Sequence, residues 1–200
     1  MLNTKPPIPK YDARKLVLDR RKELTGGEIR DKSNRIFERL IEGDDFVYAK
    51  KILTYVSSHQ GEVDTKKFID FAIGCNKSIF LPKFYSQQKK IRRFHFTEWR
   101  DLVKNEDGFL EPKIGLDEDM SDIDMLIVPC VAVSMGGQRV GHGGGYYDSM
   151  LRKTYAPKYV LAFEFQIFNE IERNYHDIRI DKIITERRVI DTHEKRFFLD

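Results

Sequence analysis

Residues 124–133 read DMLIVPCVAV, and a short turn later residues 141–153 read GHGGGYYDSMLRK. The first stretch is the most apolar in the chain, rich in β-branched residues, and is expected to form a central, fully buried strand. The second places four glycines in five positions, Gly141, Gly143, Gly144 and Gly145, ahead of a helix expected over Tyr146–Tyr155. An apolar strand, a glycine turn and a helix in that order are the repeating unit of an α/β sheet. In such sheets ligands bind beyond the carboxyl ends of the strands.

The flanking sequence extends this pattern. Residues 1–9 are proline-rich and read as an extended lead-in. A helix with a solvated basic face is expected over Lys10–Glu23, that face including Lys15, Arg20, Arg21 and Lys22. Thr25-Gly-Gly-Glu28 has capping-box spacing, and Ile29, Ile36, Leu40 and Ile41 form the apolar stripe of the helix that follows. KKILTYVSS (50–58) reads as a strand, and Asp64 or Thr65 caps a helix through residues 66–72. Strands are expected at SIFLPKF (78–84), at IRRFHFTEW (91–99) with one solvated face, at KYVLAFEFQ (158–166), and finally at 181–185. Residues 105–122 are acidic and turn-rich and read as a surface excursion. The expected architecture is α/β: one domain over 1–200, in three layers, with a largely parallel central sheet and helices on both faces.

Composition narrows the function. Net charge is +3, from 35 basic and 32 acidic residues, too balanced to signal nucleic-acid binding by itself. Cys75 and Cys130 lie far apart and fit no metal or redox spacing, as expected of reduced thiols in a cytoplasmic protein. The longest apolar run, 125–133, is far short of a membrane span, and MLNTKPPIPK has no apolar core, so neither a membrane segment nor a targeting segment is expected.

Phosphate oxygens need several converging N–H donors with no Cβ in the way, and glycines supply both the backbone angles and the close approach. The 141–145 run has that character, although it matches neither the Walker A motif nor the dinucleotide fingerprint. Asp148 reads in two ways: as a magnesium ligand beside the phosphates, or as a charge favouring a helix N-terminus. HGGG at 142–145 is also the oxyanion-hole fragment of some esterases, but the chain has no G-x-S-x-G nucleophile elbow.

GQRVGHGGGYYD (137–148), preceded by IVPCVAV, closely resembles the signature of 5-formyltetrahydrofolate cyclo-ligases, also called methenyltetrahydrofolate synthetases. Further segments agree in order: Lys10-Tyr-Asp-Ala-Arg14, Gly61-Glu-Val-Asp-Thr65, FLPKF (80–84), Phe163-Glu-Phe-Gln166, His176-Asp177 and the closing 181–186. The resemblance implies an enzyme that uses ATP and Mg2+ to close 5-formyltetrahydrofolate, a reduced folate, into 5,10-methenyltetrahydrofolate. It implies that Lys10, Arg14, Arg139, Val140, Gly141, His142, Gly143, Gly144, Gly145, Tyr146 and Tyr147 bind ATP. Ser57, Glu62, Gly143, Gly144, Gly145 and Tyr146 would contact the folate, with Glu62 accepting from the pterin N–H groups. Asp148 and Asp177 are the implied metal ligands, with Asp181 a weaker third. No general base is implied. Ser57 stands where the family often has an apolar residue, and His142 where it often has arginine or tyrosine.

Two rival readings differ in what they would bind. Another ATP- or sugar-phosphate-using α/β enzyme would share the glycine loop and ignore reduced folate. A nucleic-acid-binding module would use QQKKIRRFHF (87–96), where basic and aromatic residues interleave, although a charged edge strand has the same composition. The expected partners are the folate and ATP, with no nucleic acid and no membrane, and the chain is expected to be a monomer.

Overall fold

The fold is described from a computed structural model covering residues 6–85, 90–113, 121–143, 145–175 and 177–193. The helices are α1 (Lys10–Lys22), α2 (Gly26–Ile41), α3 (Asp44–Tyr48), α4 (Lys66–Gly74) and α5 (Tyr146–Leu151). The strands are β1 (Lys51–Leu53), β2 (Ser78–Tyr85), β3 (Lys90–His95), β4 (Leu102–Lys104), β5 (Leu110–Pro112), β6 (Met125–Val128), β7 (Ala132–Ser134), β8 (Arg139–Val140), β9 (Lys158–Leu161), β10 (Ile167–Phe168), β11 (Lys182–Ile184) and β12 (Val189–Asp191).

Seven strands form the main sheet in the order β12-β11-β9-β6-β1-β2-β3. The inner five run parallel, with β6 at the centre, and an antiparallel strand closes each edge. Period-two alternation sends Ile52, Met125, Ile127 and Tyr159 to one face, where Ile36 and Leu40 of α2, Phe46 of α3 and Phe68 and Ile69 of α4 cover them. Leu53, Leu126, Val128 and Val160 face the other way, against Met150 and Leu151 of α5. Both faces are therefore apolar, which is why the strands read as continuous hydrophobic runs. The three-layer α/β expectation holds. No described helix is long and apolar enough to cross a membrane.

Several local expectations change. The run 124–133 is two strands rather than one. Pro129 has no N–H to give to a ladder, the chain turns there, and Ala132–Ser134 joins β8 and β10 in a separate three-stranded sheet. The glycine run consequently follows β8, not the central strand. α5 is shorter than expected, ending at Leu151. The final strand is a hairpin, β11 with β12. Within the expected excursion 105–122, the first residues form the turn and second strand of the β4–β5 hairpin. On β3 the solvated face is interrupted: Arg93 is buried, 2.5 Å from Asp122 and 4.3 Å from the Phe80 ring centre. The expectations for residues 1–5, 87–89, 114–120, Gly144 and His176 lie outside the described residues.

Helix α1 stands apart from the main sheet. Ala13 and Val17 pack on Val131, Ala132 and Val140 of the small sheet. Ile8 just before it makes a parallel bridge to Ile171, so the lead-in is tied down in extended form. This docking sets one wall of the site. The capping box of α2 is present in full: Thr25 Oγ1 accepts from the Glu28 N–H, and Glu28 accepts from the Thr25 N–H.

Candidate active site

A cavity of about 640 Å³ opens beside the carboxyl end of β6, in the size range of small-molecule sites. Pro129, which ends that strand, lies in its wall, together with Lys10, Arg14 and Arg139 and the described loop residues Val140 to Gly143 and Gly145 to Asp148. Asp177 completes the set of sequence-predicted residues brought to this cavity.

Each is positioned by identifiable contacts. Lys10 and Arg14 lie one turn apart on α1 and face the same way. Lys10 Nζ meets Asp177 at 2.5 Å, and Asp177 also accepts from the Asn174 N–H at 2.7 Å. Arg14 Nε donates to the Gly141 carbonyl at 3.0 Å, holding the glycine loop to the helix. Arg139 is buried; Nη1 donates to the Pro129 carbonyl at 3.0 Å and Nη2 lies 3.3 Å from Asp148. Added side chains would meet different obstacles at the two loop glycines. Gly143 adopts φ +113°, a conformation that L side chains rarely adopt, whereas a Cβ on Gly141 would sit 2.8 Å from Arg139 Nη1. Three cations and two carboxylates thus surround a loop with bare backbone.

The opposite wall is aromatic, and sequence reasoning missed most of it. Phe84 and Phe109 stack with ring centres 5.5 Å apart, and Phe84 meets Tyr146 edge-on at 5.8 Å. Phe109 meets His59 at 4.5 Å, and His59 meets His142 at 5.0 Å. Phe109 arrives on the β4–β5 hairpin, which is bound to the neighbouring loop by the Leu110 N–H donating to Ser58 Oγ at 3.0 Å. No local pattern announces this, because the hairpin reaches the site from a distant part of the chain. The FLPKF segment was the one available pointer to Phe84.

Glu62 is buried just outside the cavity wall. Its Oε2 accepts from the Ser58 and His59 N–H groups at 3.0 and 3.1 Å, while Oε1 faces His142 Nε2 at 3.6 Å. Burial pushes the Glu62 carboxyl up, but His142, the two N–H donors and the nearby Arg21 charge outweigh it, and the net shift is downward. Burial holds the His59 imidazole below its ordinary value, opposed by the Glu62 charge. Burial likewise raises the Tyr147 phenol, with Arg139 opposing.

Two further predicted residues, Ser57 and Asp181, do not line the cavity. Ser57 turns away from it: its hydroxyl donates to Asp64 at 3.0 Å, and its N–H to Thr65 Oγ1 at 3.1 Å. Asp181 immediately precedes β11 and so lies at the amino end of a strand, the opposite edge of the sheet from the site, where it accepts from the Lys158 N–H at 2.8 Å.

This geometry pairs a cationic glycine cradle with an aromatic wall, which suits a polyphosphate beside a flat ring. Comparison with known proteins gives the same direction. The sequence model of the 5-formyltetrahydrofolate cyclo-ligase family matches residues 9–186. A probable 5-formyltetrahydrofolate cyclo-ligase of Caenorhabditis elegans is 28% identical over 182 residues, covering 84% of this chain and 88% of its relative. The 5-formyltetrahydrofolate cyclo-ligase of Escherichia coli K12 is 26% identical over 182 residues, covering 87% and 98%. The solved structure of Aquifex aeolicus 5,10-methenyltetrahydrofolate synthetase superposes with a TM-score of 0.81 at 31% identity, covering 92% of each chain.

Proposed function

The chain belongs to the 5-formyltetrahydrofolate cyclo-ligase family, and from that premise we propose that it closes 5-formyltetrahydrofolate to 5,10-methenyltetrahydrofolate with ATP hydrolysed to ADP and phosphate. The observation that carries this reading is the single cavity in which Lys10, Arg14, Arg139 and the glycine loop face Phe84, Phe109 and the two tyrosines.

The chemistry needs activation of a poor leaving group. The formyl oxygen attacks the γ-phosphorus, ADP leaves, and the product is an iminium phosphate. N10 of the folate then adds to the activated carbon, its proton is lost and phosphate departs. Protein groups serve mainly to align the reactants and to neutralise charge. Lys10, Arg14 and Arg139 balance the phosphates, and the backbone of Gly141, His142, Gly143 and Gly145 lies against them. Glu62 accepts from the pterin amino and ring N–H groups once His142 yields its place at Oε1. The aromatic wall excludes water from the reacting atoms.

The donor chemistry also fits magnesium. Asp148 and Asp177 line the cavity, each beside a cation, and magnesium takes one or two protein carboxylates with the remaining ligands from phosphate and water. When bound, the ion supplies further neutralisation of the phosphate oxygens. The same reading makes the chain a cytoplasmic monomer acting on small molecules rather than on nucleic acid or membrane.

The test is spectrophotometric: purified protein, 5-formyltetrahydrofolate, magnesium and ATP, followed by methenyltetrahydrofolate absorbance. Product that requires both ATP and magnesium is the expected result. Folded protein that binds ATP and yields no product refutes the folate assignment and leaves the rival phosphate-using enzyme.

A further inference from the structure

The face of α1 that carries Lys10 and Arg14 continues through Val17 to Arg21, at helical steps of four, three and four residues. Arg21 is 3% exposed. Its Nη2 donates to the Cys130 carbonyl at 2.7 Å, while Nε and Nη1 are buried without a hydrogen-bond partner among the described residues. A buried guanidinium so incompletely bonded is costly unless a negative charge stands close by. Its charge acts on Tyr55, His59, Cys130 and Glu62, and of these Glu62 alone is a carboxylate.

The contact between Arg21 and the Glu62 loop is also steric. Gly61 takes φ +73°, and a Cβ there would lie 2.6 Å from Arg21 Cβ, 2.9 Å from Cγ and 3.0 Å from the Arg21 carbonyl. Helix α1 therefore presses on the turn whose next residue is Glu62. Around that carboxylate stand His59 and His142 from the loops, Tyr55 after β1, Tyr147 from α5, Cys130 after β6, and Arg21 from α1.

We propose that Arg21 is a positioning residue for the folate: it wedges the Gly61 turn and supplies the buried positive charge against which Glu62 is held. Helix α1 then sets both halves of the site, the phosphate half through Lys10 and Arg14 and the pterin half through Arg21 behind Glu62. This rests on the reading of Glu62 as the pterin acceptor.

Steady-state kinetics of the full chain with Arg21→Met, Arg21→Lys and Glu62→Gln test it. Arg21→Met is expected to raise the KM for 5-formyltetrahydrofolate about tenfold, while the KM for ATP stays within about twofold, because only the pterin half loses its support. Arg21→Lys, which restores the charge, recovers most of that loss. The Arg21→Met midpoint of thermal unfolding is expected to fall, since the Glu62 carboxylate then stays buried without its cation, and to fall less when Arg21→Met is combined with Glu62→Gln. If Arg21→Met does not fold, Arg21→Gln, which keeps a donor for the Cys130 carbonyl and drops the charge, is read by the same criteria. An unchanged folate KM in the folded variant, or both KM values rising together, overturns the proposal. Glu62→Gln separates the two readings. If it leaves the folate KM unchanged, the Glu62 assignment falls and takes the proposal with it. If it raises that KM while Arg21→Met does not, only the Arg21 role fails.

Discussion

Gly61→Ala has a cost that can be worked out from two separate contributions. The left-handed conformation at φ +73° costs an L-residue about 1–2 kcal/mol. The new methyl would also meet Arg21 Cβ, Cγ and carbonyl oxygen at 3.0 Å or less, an overpacking worth about 1–3 kcal/mol. Helix α1 must move to admit it, because two of the three atoms belong to the residue's fixed part rather than to a flexible tip. The sum is about 2–5 kcal/mol, and for a chain of this size each kcal/mol lowers the midpoint by about 2–4 °C. Gly108→Ala is the matched control: it also has positive φ, at +83°, but nothing lies within 4 Å of its added Cβ, so it carries the backbone cost alone. Thermal unfolding of both variants is expected to show the larger fall for Gly61→Ala. Combining it with Arg21→Ala should restore little, since the shortest contact is to Arg21 Cβ, which alanine keeps. A fall for Gly61→Ala no greater than for Gly108→Ala would refute the wedge between α1 and the Glu62 turn.

Other expectations follow from single contacts. Arg14→Ala frees the Gly141 carbonyl and removes a cavity cation, so the KM for ATP should rise roughly tenfold or more; an unchanged value would remove Arg14 from the phosphate half. Asp148→Asn should raise the magnesium concentration needed for half-maximal rate, measured by titrating the metal at fixed ATP, and an identical titration would exclude Asp148 as a ligand. Thr25→Ala loses half of the α2 capping box and should cost about 1 kcal/mol in denaturant unfolding with activity intact. The Glu62 carboxyl sits below its ordinary 4.5 in the folded protein, so its contribution to stability is present above that value and is lost as pH falls through the folded one. Glu62→Gln should therefore flatten the acid limb of stability against pH, and superimposable limbs would contradict the downward shift.

How much was legible depended on how local the cause was. The α2 capping box and the alternation of strands with helices follow from neighbours in sequence, and they were read correctly. The single strand expected over 124–133 failed at Pro129, where a missing N–H outweighed apolar continuity. Phe109 was hidden because its hairpin is anchored by Ser58, fifty-two residues away. Ser57, implied by resemblance to touch the substrate, does not line the cavity, and its hydroxyl donates to Asp64. Arg21 was counted with a solvated basic face; its helical phase, shared with Ala13 and Val17, puts it inside.

By itself the sequence determined the α/β class and the bare loop at 141–145, because apolar periodicity and the absence of Cβ atoms act on the chain residue by residue. It also marked Lys10 and Arg14 as a pair on one helical face. Only the tertiary structure decided what that face looks at. The docking of α1 on the small sheet turns Lys10 and Arg14 toward the glycine loop and drives Arg21 in behind Glu62. Those neighbours are separated by tens to more than a hundred residues, and the contacts joining them form only when the layers pack.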